Sequence, residues 1–107
     1  KLTVKRYKIV ISQRAKSEIE NHINFLARVN IEAAKSLKSN IIKDIKSLEF
    51  MPQRNSFLIN EFISANKYHR MLCQKRYLLL YQIKDDTVYL DLVIDCRQDY
   101  SWLISNC

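Results

Sequence analysis

Two arginines, Arg70 and Arg97, stand at the rims of consecutive apolar runs in the last third of the chain, and a tyrosine, Tyr100, follows just past the last. From Lys67 the sequence reads KYHRMLCQ, KRYLLLYQI, KDD, TVYLDLVI and DCRQDY. Folding does not need guanidinium groups at those places. A phosphate-bearing partner does, because arginine stays charged and its planar fork presents paired donors matched to phosphate. His69 adjoins Arg70, and alternation along a strand sends it to the opposite face. If Arg70 lies on an open face, His69 turns toward the helices as a satisfied, buried or edge histidine.

These side chains need strands to carry them. Runs at about 67–73, 76–83 and 87–95 read as strands, joined by Gln74-Lys75 and by Lys84-Asp85-Asp86. Connections of two and three residues force antiparallel hairpins. Near the start, RYKIVI alternates with Tyr7, Ile9 and Ile11 on one face, which predicts a first strand. Ser12 is placed to cap a helix over 13–28 whose apolar stripe is Ala15, Ile19, Ile23 and Leu26. Asn30 caps a second helix over 31–50, with Ala34, Leu37, Ile41, Ile45 and Leu48 on its stripe. The short connection at Val29-Asn30 makes the two helices an antiparallel pair. Met51-Pro52 ends the second helix, because proline cannot continue it. Residues 53–66 carry no clear period and read as a long loop with one short strand or helical turn. DYSWLISNC reads as a short C-terminal helix.

The expected fold is therefore α+β in the order β-α-α-β-β-β. A helical hairpin packs on one face of a twisted, mostly antiparallel sheet. The other face is left free to bind. The 107 residues fit one domain spanning 1–107. A domain of that size buries roughly 65% of its unfolded surface, enough for a core without staples.

Composition narrows the function classes. Eighteen Lys and Arg against eleven Asp and Glu give a net charge of +7, which favours nucleic acid, a ribosome or an acidic protein as partner. There is no glycine, so there is neither a P-loop nor a GxGxxG turn. The apolar runs fall short of the ~20 residues of a membrane helix. The opening KLTVKRYKIVIS lacks the apolar stretch of a signal peptide. The expectation is a soluble cytoplasmic protein with no membrane partner. The three cysteines, Cys73, Cys96 and Cys107, form no CxxC pair. Reduced core thiols are expected, with a Cys73–Cys96 bridge as the alternative if their strands are neighbours. His22 and His69 lie in unrelated segments, so no metal site is expected.

This order of elements resembles the RelE/ParE superfamily of toxins from type II toxin–antitoxin systems. The resemblance runs over about residues 6–104. It rests on YKIVISQRAKSEI, on the helical hairpin ending LEFMPQR, and on the sheet motifs. The family's R-x-L strand appears as Arg70-Met71-Leu72 and its Y-x-x-x-Y strand as Tyr77 to Tyr81. Its V-x-x-x-R ending appears as Val93 to Arg97, with Tyr100 as the aromatic behind it. The resemblance implies one of two activities. A RelE-like member enters the ribosome and cuts mRNA as an mRNA interferase. A ParE-like member inhibits DNA gyrase without catalytic residues. A degenerate member that only binds antitoxin is a third reading. In each case the natural partner is a cognate acidic antitoxin.

For RNA cleavage, the resemblance assigns Arg70 and Arg97 to the scissile phosphate and Tyr100 to base stacking or proton transfer. The 2′-oxygen attacks its own phosphate, so this endoribonuclease chemistry requires no metal or cofactor. Lys67, Lys75 and Arg76 lie at strand ends and would extend an RNA-binding rim. Asp99 stands where some nuclease relatives carry histidine, and reads as a salt-bridge or capping residue, with a general base as the alternative. Glu61 is the remaining acid–base candidate. The first reading is the mRNA interferase acting on ribosome and mRNA, and the alternative is the gyrase inhibitor.

Overall fold

A computed structural model describes residues 5–59 and 64–96. The elements are β1 (Lys8–Ile11), α1 (Gln13–Ala27), α2 (Ile31–Ser47), a 3-10 turn (Pro52–Arg54), β2 (His69–Cys73), β3 (Tyr77–Lys84) and β4 (Thr87–Asp95). The α+β order β-α-α-β-β-β is the expected one. The expected C-terminal helix lies outside the described residues, as do Glu61, Arg97, Asp99 and Tyr100.

Both predicted caps form. The Ser12 side-chain oxygen accepts from the Ala15 N–H at 3.0 Å, and Asn30 Oδ1 accepts from the Ala33 N–H at 3.0 Å. Ser12 does more than cap, because its hydroxyl also donates to the Asp91 carbonyl at 2.9 Å. That bond pins the start of α1 to the middle of β4. Ser12→Ala is expected to destabilise the fold by about 1–2 kcal/mol in denaturant unfolding. Ser17→Ala, on the exposed side of the same helix, should stay within about 0.5 kcal/mol.

The sheet order is β1-β4-β3-β2. β2–β3 and β3–β4 are antiparallel hairpins, and β1 lies parallel to β4, from Lys8 opposite Thr87 to Ile11 opposite Leu90. The parallel pair needs a crossover, and the α1–α2 hairpin supplies it. The turn from β2 to β3 places Gln74 and Lys75 at φ 55° and 59°, and the Arg76 N–H returns to the Cys73 carbonyl. Two successive left-handed residues form the primed turn that matches strand twist, here without glycine.

One core joins the helices to the sheet. Ala15, Leu37, Ile41, Ile45 and Leu48 meet Tyr77, Leu79, Tyr81, Val88, Leu90 and Val93. The opposite face is not free, contrary to the sequence expectation. Leu78 and Leu80 are 0% exposed and pack with Leu58, Ile94 and Tyr68 in a second cluster. Leu58, from the unpatterned loop, reaches this face because its N–H donates to the Tyr68 carbonyl at 2.7 Å. The physical cause is the run Tyr77–Tyr81, five buried residues in succession. A strand that does not alternate is buried on both sides.

Candidate functional site

Arg70 is the second residue of β2 and lies opposite Leu80. Residues directly opposite in an antiparallel pair share a face, so Arg70 belongs to the face away from the helices. Its side chain is half-buried, and its backbone N–H donates to the Ser56 carbonyl at 2.9 Å. His69 is on the other face, as the alternation requires. It is 8% exposed, its ring stacks between Phe57 at 4.1 Å and Tyr81 at 5.3 Å, and its Nδ1 meets the Asn55 carbonyl at 2.7 Å. Tyr81 continues this arrangement, donating to the Pro52 carbonyl at 2.6 Å and accepting from Asn55 Nδ2 at 3.0 Å. Burial pushes the Tyr81 phenol up, and the Asn55 hydrogen bond and the Arg54 charge only partly oppose it. These groups hold the segment after α2 against the sheet.

The proposed basic rim is spread out. Lys67 precedes β2, with its ammonium 5.3 Å from the Tyr68 ring centroid, and Lys75 is exposed in the turn beyond the far end. A strand of five residues puts on the order of 17 Å between those ends. Arg76 is turned inward. Its Nη2 lies 3.1 Å from Asp95 Oδ2, its Nε is at 3.3 Å, and its guanidinium sits 5.0 Å from the Tyr77 ring centroid. Of the guanidiniums expected at the site, Arg70 is the one that the described residues place on the far face. Exposed lysines are more regular elsewhere: Lys35, Lys38, Lys43 and Lys46 all project from the outer side of α2.

Arg76 belongs instead to a cluster that the sequence reading missed. A cavity of about 330 Å³ opens between α1 and the ends of β3 and β4, lined by Glu18, Asn21, His22, Phe25, Arg76, Val93 and Asp95. A second, of about 290 Å³, adjoins it across Arg76 and reaches Tyr77, Asn40 and Gln74. Glu18 Oε1 accepts from the Val93 N–H at 2.8 Å, and Oε2 lies 3.4 Å from Arg14 Nε. The His22 and Tyr77 rings meet at 4.9 Å between centroids. His22 Nε2 and the Tyr77 hydroxyl are buried without a hydrogen-bond partner. Burial holds the Tyr77 phenol protonated, with Arg76 opposing that shift and Asp95 adding to it. A sequence signal existed. Glu18, Asn21, His22 and Phe25 are spaced by three, one and three residues, which makes a polar and aromatic stripe beside the apolar one.

Cys73 is a free, buried thiol, so it does not bridge to Cys96, which is disulfide-bonded. The expectation of reduced thiols therefore holds at Cys73 and fails at Cys96. Among the described residues no group of three or more His, Cys, Asp or Glu is placed to hold a metal ion, and no helix is long and apolar enough to cross a membrane.

No curated protein sequence matches this chain. In fold it is similar to a chain of the solved structure titled "Chromosomal ParDE TA system from P. aeruginosa". The TM-score is 0.69 at 11% identity, over 85% of this chain and 97% of the other. A likeness at that identity speaks to the fold. The family follows from the sequence itself: residues 9–100 match the model of the ParE toxin of type II toxin–antitoxin systems, parDE, and the chain belongs to that family.

Proposed function

We propose that this toxin acts by binding, as an inhibitor of DNA gyrase, and that an acidic antitoxin neutralises it. The observation that carries this reading is the match of residues 9–100 to the ParE toxin family, the branch for which the resemblance implies gyrase inhibition. The geometry supports it in two ways. The far face of the sheet is packed with Leu78, Leu80 and Ile94, and Arg76 is committed to Asp95. Among the described residues, an apolar face with one half-buried arginine suits a structural role better than phosphoryl chemistry, which needs several preorganised cationic donors. The lysines on the outside of α2 fit an acidic partner by charge.

RNA cleavage is the second reading. Arg70, on the sheet face away from the helices, favours it, with Arg97 and Tyr100 as the groups that would complete the site. One pair of assays separates the two. The purified toxin is incubated with gyrase and relaxed plasmid, and separately with ribosomes programmed by mRNA. The expected result is loss of supercoiling with mRNA left intact. Ribosome-dependent cutting that Arg70→Ala reduces at least 100-fold, with supercoiling unaffected, would establish the nuclease reading instead.

A further inference from the structure

We propose that the cavity between α1 and the ends of β3 and β4 is a nucleobase pocket sized for a purine, whatever the toxin's target. The argument begins with charge. Two carboxylates, Glu18 and Asp95, face one guanidinium, Arg76, inside the cavity, and Arg14 balances Glu18 at the rim. The lining is therefore close to neutral, and its field selects neither a free anion nor a free cation. Its hydrogen-bonding capacity is rich and mixed. The Asn21 carboxamide both donates and accepts, Arg76 donates and Glu18 accepts.

An unpartnered buried polar atom costs stability, and two occur here. The His22 ring lines this cavity with its Nε2 buried beneath the surface, and the Tyr77 hydroxyl lies one ring contact away. Tyr77 itself is 1% exposed. A ligand with donors and acceptors on its edges meets Asn21, Arg76 and Glu18 in the lining without adding charge. Phe25 supplies the last requirement. It lines the same cavity yet is 61% exposed, so one face of its ring is available at the mouth. Planar heteroaromatic bases stack on such rings, and arginine beside a carboxylate or carboxamide reads their edges. The volume of about 330 Å³ lies at the small end of ligand pockets. It admits the two fused rings of a purine and leaves sugar and phosphate outside, in the field of a chain with net charge +7.

The test uses the full chain and needs no gyrase, so it is independent of the proposed target. Ring signals of His22 and side-chain amide signals of Asn21 are followed by NMR during titration with GMP, AMP, UMP and ribose 5-phosphate. GMP or AMP is expected to move both signals, with UMP and ribose 5-phosphate at least fivefold weaker. Phe25→Ala, at an exposed position, should weaken purine binding about tenfold, the scale of base–aromatic stacking, and leave the fold intact by circular dichroism. Equal shifts from ribose 5-phosphate would make this an anion site and overturn the proposal, as would unmoved His22 signals with every nucleotide. A purine-containing single-stranded oligonucleotide that binds more tightly than GMP identifies nucleic acid as the source of the base. Equal affinity identifies the free nucleotide.

Discussion

Arg76→Met is expected to destabilise the protein by about 3–5 kcal/mol, because it removes the guanidinium that faces the buried carboxylate of Asp95. The Asp95 side chain is 5% exposed and that of Arg76 is 21% exposed, with 3.1 Å between Nη2 and Oδ2. The pair sits where β3 begins and β4 ends, next to the backbone bond from the Cys96 N–H to the Arg76 carbonyl at 2.7 Å. Coulomb attraction at this depth is offset by the cost of removing both ions from water, so the intact pair contributes little net stability. Breaking it is a different matter, since the survivor keeps its desolvation cost and loses the attraction of its opposite charge. The double variant Arg76→Met/Asp95→Leu should therefore recover most of the loss. Urea unfolding of the wild type, both single variants and the double variant measures the coupling directly. A single variant with wild-type stability would mean that Asp95 has other means of satisfying its charge.

The same pair shows where sequence reading stops. Arg76 and Asp95 are 19 positions apart, and nothing local says that one neutralises the other. Arg76 therefore read as one more exposed cation at a strand end. Local information was much more faithful. The stripes Ala15-Ile19-Ile23-Leu26 and Leu37-Ile41-Ile45-Leu48 reach the core as their spacing requires. Both capping residues cap, because a side-chain oxygen one residue before a helix has few better partners. The hairpins were legible since short loops leave one geometry, and the positive φ at Gln74, Lys75 and Asp85 shows that topology overrode the usual preference for glycine.

What failed depends on contacts that loops bring from a distance. From sequence alone the far face reads as open, because the two helices are the covering that periodic segments supply. Yet the run of three leucines, Leu78 to Leu80, already contradicted a strand with one wet side. Leu58, in the segment with no period, pairs with the edge of β2 and helps to fill that face. A bulge opposite the Leu80–Tyr81 step lets Leu92 follow Leu90 onto the opposite face. Such register changes are invisible to alternation counts, which assume an unbroken ladder. The His22 cluster was missed for a related reason. Its members come from α1, β3 and β4, and only packing assembles them.

Alkaline pH is expected to weaken the fold through Cys73, by an amount on the order of 4 kcal/mol across three pH units. The thiol is 0% exposed and donates to Asp44 Oδ2 at 2.8 Å, tying the end of β2 to α2. Burial first, and then the hydrogen bond and charge of Asp44, push its pKa from 9.0 up to about 12. In the unfolded chain the thiol loses its proton above about pH 9, whereas the folded protein keeps it until about pH 12. Between those values the unfolded state binds fewer protons, so stability falls as pH rises, by about 1.4 kcal/mol per unit. Below pH 9 the thiol is protonated in both states and contributes no slope. Tyrosines and lysines titrate in the same range, so the difference between wild type and Cys73→Ala is the informative quantity. That difference should be flat from pH 6 to 8 and shrink steadily above 9. Native protein should also resist iodoacetamide at Cys73 at pH 8, since the thiolate is the nucleophile and burial suppresses it. A difference that stays flat to pH 11, or rapid alkylation of Cys73 in the folded chain, would show that the Asp44 contact opens readily and that β2 is not locked to α2.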